Sequence, residues 1–191
     1  NSTRVLNIDA TDPRELTRGM IEGHRQVKEL FIMMKKYIPG FEECDLVAIS
    51  PTLGIRETRH FKCLKRLTGD IPLNGEIPED TIGLGAYNID IHSGAGSTID
   101  LKSIEKPFGM PMGCMLPVGI KGLILSGRSI DADTVAFGSV RVMGTCMALG
   151  EAAGVCAALA AGRGISPDQV PIGDIRGRLQ RQGVRLKAAE E

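Results

Sequence analysis

The chain has 191 residues, 42% hydrophobic and 24% charged, a globular composition that excludes the disordered and collagen-like classes. Its 23 Lys and Arg balance 23 Asp and Glu, so no basic excess is present to neutralise phosphates, and a dedicated nucleic-acid binder is excluded. There are 24 glycines and no Trp, where average usage would give about 13 glycines. That bias points to backbone brought close to another helix or to a cofactor.

In chain order, Arg4 to Asp9 reads as a strand. Asp12-Pro13-Arg14-Glu15 then reads as a helix start, with a capping carboxylate, a proline in the first turn and an acid near the positive end of the dipole. Leu16, Met20, Val27, Phe31, Met34 and Ile38 recur at helical spacing, and Pro39-Gly40 ends the helix. Its other face carries Arg14, Arg18, Glu22, Arg25 and Lys28, and that face is expected to be solvated, His24 included. Asp45 to Ser50 predicts a strand, and Gly54 to Phe61 a strand or extended segment. Residues 68–85 carry turn residues at loop density, and Ala86 to His92 alternates as a strand. Residues 93–100 read as loop, and Pro107 to Pro117 as an irregular crossing. Gly122 to Ser126 has the all-apolar pattern of a strand buried in a parallel sheet. A helix is expected from Ser139 to Ala161, and a last one from Ile172 to Gln182 with Gly183 closing it.

The five cysteines, at 44, 63, 114, 146 and 156, form no Cys-x-x-Cys pair. This predicts reduced thiols in a cytoplasmic protein and argues against a disulfide framework or a metal centre built by this chain alone. The smoothest apolar stretch, Val135 to Ala161, is interrupted by Arg141 and Glu151, so no membrane span is expected. The opening Asn1-Ser2-Thr3, without Met, leads to the expectation of a piece of a longer polypeptide.

Three stretches carry candidate chemistry. In Gly122 to Ala161 a polar loop enters a helix rich in small residues. The first turns of that helix, Gly138 to Val142, are expected to offer free N–H groups at its positive end. An anionic or electron-accepting ring would be stabilised there, and a tight helix–sheet contact without ligand is the alternative. In Gly54 to Phe61, Arg56 and Arg59 could each clamp a carboxylate, or belong to a salt-bridged surface strand. In Asn88 to His92, alternation puts Asp90 and His92 on one face, where a carboxylate can orient an imidazole for proton transfer. The same pair could instead be a polar strand face or part of a metal site.

The segments GIRETRHF, AYNIDIH and LILSGRSIDADTVAFGSVRVMGTCMALGEAAGVCAA resemble the C-terminal half of bacterial FAD-dependent oxidoreductases. These belong to the two-dinucleotide-binding-domain flavoprotein superfamily, and the likeness, from Thr3 to Gly183, extends to flavoproteins of heterodisulfide-reductase type. The resemblance implies an α/β chain: a substrate-domain portion over 1–106, with the long helix and strands, and over 107–191 the strand–helix return of a Rossmann-like FAD domain. The Gly-x-Gly-x-x-Gly half is missing; Gly83-Leu84-Gly85 neither follows a strand nor opens a helix. Gly127 and Arg128 stand where relatives place Gly-Asp, whose carboxylate holds the ribityl chain. That contact is left among Arg128, Asp131 and Asp133. The resemblance implies Gly138, Ser139, Arg141 and Val142 against the flavin; from the residues themselves, Arg56 and Arg59 are expected on an anionic small-molecule substrate, and His92 with Asp90 in proton transfer. FAD is the implied cofactor, in a site this chain completes only in part. An iron–sulfur cluster, which some relatives carry, has no motif here. The missing Rossmann half and a second copy of the chain are the expected partners. Two other classes stay open: an assembly module using the Gly/Ala-rich helix, and a metal-dependent hydrolase at Asp90 and His92.

Overall fold

The computed structural model of the chain describes residues 3–92 and 99–187, and for residues 92, 99 and 100 the backbone alone. It is a mixed fold of helices and two small sheets, the α/β class expected. The described residues fall into two compact units, one ending at Thr58 and one beginning at Arg59.

The first unit is built on α1 (Pro13–Tyr37). Its ends are set locally: the Asp12 side chain accepts the Arg14 N–H at 2.8 Å, Pro13 occupies the first turn, and Lys35 and Lys36 lie in the last. Leu16, Met20, Val27, Phe31 and Met34 are half-buried as the spacing predicts, while Ile38 is exposed. The closest approach is made at Gly19 and Gly23, where Leu53 crosses the helix. A Cβ on Gly19 would stand 2.8 Å from Leu53 Cδ1. On the charged face Arg25 donates to Glu22, holding that exposed carboxyl down at about 2. His24 is not solvated as expected: it is half-buried, with Nε2 3.4 Å from the Ser50 carbonyl.

The strands expected at 4–9 and 45–50 do not form, and Gly54 to Phe61 holds no strand. Among the described residues 45–50 has no ladder partner, and Val47 is 96% exposed. Sequence pattern alone cannot hold a strand that no neighbouring strand pairs.

In the second unit β1 (Thr81–Gly85) pairs antiparallel with β4 (Phe108–Pro111), Gly85 opposite Phe108, with a bulge after Thr81. A second antiparallel pair joins β2 (Ile89–His92) to β3 (Ile99–Lys102), Asp90 opposite Leu101. Residues 68–85, expected as loop, thus contain α2 (Asp70–Asn74) and β1. Glycine misled there because β1 needs it: the Phe108 ring lies across Gly85, where any Cβ would collide. The expected loop at 93–100 lies outside the described residues as far as 98, and residue 99 opens β3. The crossing at 107–117 is partly regular, β4 followed by the 3₁₀ turn Met112–Met115.

No parallel sheet is present among the described residues, and 122–126 is not a strand. Leu125 donates instead to the Met115 carbonyl at 2.8 Å, and Gly122 takes φ +72°. A short apolar run marks burial but not its ladder partner.

The single helix expected from Ser139 is two: α3 (Thr134–Val140) and α4 (Met143–Arg163). Asp133 caps α3, so the helix starts at Thr134 rather than at Ser139. The last helix, α5 (Ile172–Arg181), is closed near Gly183 at φ +90° as expected. Leu67, Ile82, Phe108, Met110, Ile130, Leu149, Ile175 and Leu179 form the fully buried centre of this unit. By length and composition α4 could cross a membrane, but Leu149, Ala152, Cys156 and Ala160 are sunk into that centre. It is the core helix of the unit.

All five cysteines are free. Burial pushes the Cys156 thiol from 9.0 up to about 11, and Cys63, Cys114 and Cys146 upward too. The folded state therefore favours neutral thiols, with that contribution complete below pH 9.0 and lost as pH rises through about 11. Urea midpoints should fall between pH 8 and pH 11, and Cys156→Ala should flatten that fall by on the order of 2 kcal/mol.

Candidate functional site

The residues singled out on β2 and on the α3–α4 segment come together in one place. α3 lies on β2 so closely that a Cβ on Gly138 would meet the Asp90 backbone N and O at 3.2 Å. The buried Ser139 hydroxyl donates to the Tyr87 carbonyl. Arg141, at the end of α3, donates through Nη2 to Asp90 O at 2.7 Å and to Asp90 Oδ2 at 3.0 Å. Its side chain is 11% exposed and that of Asp90 16%, so this ion pair is largely withdrawn from water. Asp90 is thus engaged with Arg141; the side chain of His92 lies outside the described residues.

Gly138 to Val142 do not open a helix. Gly138, Ser139 and Val140 form the last turn of α3, and the Arg141 N–H bonds to the Phe137 carbonyl at 3.2 Å. The break falls at Val142, whose ψ of 156° ends one helix and begins the next. The first bond of α4 is Cys146 N–H to Val142 O at 2.9 Å, and no side chain caps this end. The N–H groups of Met143, Gly144 and Thr145 therefore leave the helix without an intrahelical acceptor. Met143 is 84% exposed, and a Cβ on Gly144 would meet nothing within 4 Å. Sequence reasoning placed these donors about five residues too early, and only the Asp133 cap signalled the earlier helix.

Gly127 sits against this open end. It takes φ +64° in a 3₁₀ turn with Arg128 and Ser129, and a Cβ there would lie 3.8 Å from Cys146 Sγ. Arg128 is exposed, and its charge favours the Cys146 thiolate against burial. Helix dipole, open N–H groups and a guanidinium together make this corner electropositive.

The acids of the same loop are committed to the fold. Asp131 accepts the Cys63 N–H at 2.9 Å and faces Arg66 at 3.5 Å. Asp133 accepts the Ala136 N–H and the Gly69 N–H, each at 2.8 Å. Asp133→Ala strands both donors and should cost about 2 kcal/mol, read as a lowered urea midpoint. Arg56 and Arg59 are both exposed, the first in the unit ending at Thr58 and the second in the other.

The family model of the FAD dependent oxidoreductases matches residues 1–179. The chain belongs to that family. No curated protein and no solved structure matches this family member. FAD fits the open end of α4 by donor chemistry: three unpaired N–H groups and a nearby cation suit the electron-rich edge of an isoalloxazine. No sequence here provides the glycine-rich turn that would cradle a pyrophosphate. Among the described residues no three His, Cys, Asp or Glu side chains are grouped as a metal would require.

Proposed function

We propose that this FAD-dependent oxidoreductase chain contributes the isoalloxazine end of a flavin site and moves a hydride or electron pair between FAD and a small anionic substrate. The observation that carries the reading is the uncapped first turn of α4 opening beside Gly127 and Arg128. FAD, when bound, supplies two-electron redox chemistry. The N–H groups of Met143, Gly144 and Thr145 would hold the flavin at the positive end of α4, where free donors favour a negatively charged ring. Arg128 would add a cation there, at the position where related flavoproteins carry a carboxylate. His92 moves the substrate proton, and Arg59 holds the substrate carboxylate. Within the family we place the chain with flavoproteins of heterodisulfide-reductase type, in the cytoplasm, with the adenine and pyrophosphate held by a polypeptide carrying Gly-x-Gly-x-x-Gly.

Competition binding tests the division of the site. The chain should quench the fluorescence of FMN and FAD alike, with weak and similar affinity, and adenosine diphosphate should not displace them. Displacement by adenosine diphosphate, or no binding of FMN, would overturn the proposal.

A further inference from the structure

No proline makes the break between α3 and α4. Breaks and sharp kinks in helices are normally made by proline, by Gly/Ser pairs, by π-bulges, or by an inserted side chain or water. Locally the run Phe137 to Thr145 offers the pair Gly138-Ser139 in the last turn of α3 and the Cys146 thiol, which donates to the Val140 carbonyl at 3.7 Å. Arg141 already has helical backbone, φ −72° and ψ −8°. A turn of ψ at Val142 alone would make α3 and α4 one helix, and the N–H groups of Met143, Gly144 and Thr145 would then bond to the carbonyls of residues 139, 140 and 141. Continuity would close the open end described above.

Tertiary contacts oppose it as well. The Arg141 guanidinium is tied twice to Asp90, once to the backbone and once to the carboxylate. Ser139 is tied to Tyr87, and Gly138 rests on the Asp90 peptide. The end of α3 is thereby fixed to β2, while α4 is fixed by its own buried face, with Leu149 and Ala152 in the core. Two segments anchored on different surfaces meet at Val142, and the chain must bend there.

We infer that the Asp90–Arg141 ion pair is a positioning pair: it holds the α3–α4 break and so keeps the first turn of α4 open to the flavin. Arg141 and Asp90 then act through the N–H groups of α4 and need no contact with flavin or substrate. The value of an open turn rests on the flavin reading above; the break itself does not.

Amide hydrogen exchange on the full chain, without flavin, separates the two. In Arg141→Met and in Asp90→Asn, the amides of Met143, Gly144 and Thr145 should become protected, exchanging at least about tenfold more slowly as they find helical acceptors. A pair that merely adds stability would give the opposite pattern, faster exchange spread evenly along α3 and α4. That pattern, or unchanged exchange at 143–145, would overturn the inference. Asp90→Asn keeps the backbone acceptor of Arg141, so it decides the matter if Arg141→Met does not fold. Selective protection in a chain that fails to bind FMN would leave the positioning pair standing and remove the flavin reading.

Discussion

Gly144→Asp should make the chain more stable and a poorer flavin binder. Position 144 lies in the uncapped first turn of α4, and a side chain there meets open space, so no steric cost enters. Replacing glycine inside a helix contributes a few tenths of a kcal/mol for aspartate, and a carboxylate at the positive end of the dipole about 0.5 kcal/mol more. The melting temperature should therefore rise by about 2 °C or more. The same carboxylate occupies the donors that the flavin edge would use and repels the charge gained on reduction. Affinity for FMN should fall by about tenfold or more, the equivalent of 1.4 kcal/mol, in a better-folded protein. Gly144→Ala separates the two effects, since it keeps the helical gain and adds no charge. A stabilised Gly144→Asp with unchanged FMN affinity would place the flavin elsewhere.

Gly138→Val should unseat α3 from β2. A Cβ at 138 already comes within 3.2 Å of the Asp90 N and O, and within 3.3 Å of Ile89 Cγ2. The first two are backbone atoms of a paired strand and have no rotamer to escape into. The added methyls of valine must push the helix away, at a cost of about 3 kcal/mol, offset by less than 1 kcal/mol of helix propensity. The urea midpoint should drop by about 1 M. Because Ser139 and Arg141 follow on the same helix end, their bonds to Tyr87 and Asp90 should be lost with it. Wild-type stability in Gly138→Val would mean that α3 does not rest on β2 in this way.

The parts of the fold that could be read from sequence are those whose causes are local. Asp12, Pro13 and the Pro39-Gly40 stop bound α1 within a residue because each acts on the turn beside it. β1 was hidden because its glycines answer distant residues, Gly85 the Phe108 ring and Gly83 the Met110 methyl, each more than twenty positions along the chain. Gly122 to Ser126 looked like a parallel strand because its apolar run reports burial and nothing more. The same distinction governs the site. The residue types on β2 and on the glycine-rich segment marked chemistry, but the break at Val142 depends on Asp90, some fifty positions earlier, and left no trace at 141–142. Asp131 and Asp133 looked available in a polar loop and prove to be spent on backbone N–H groups of residues 63, 69 and 136.

The central claim is that the first turn of α4 receives the flavin. It is tested most directly by backbone amide chemical shifts of the full chain as FMN is added in excess. The account predicts perturbations concentrated at Gly127 to Ser129 and at Met143 to Cys146, with α1 and α5 unmoved. Perturbations confined to other elements, or none while the flavin fluorescence is quenched, would contradict it.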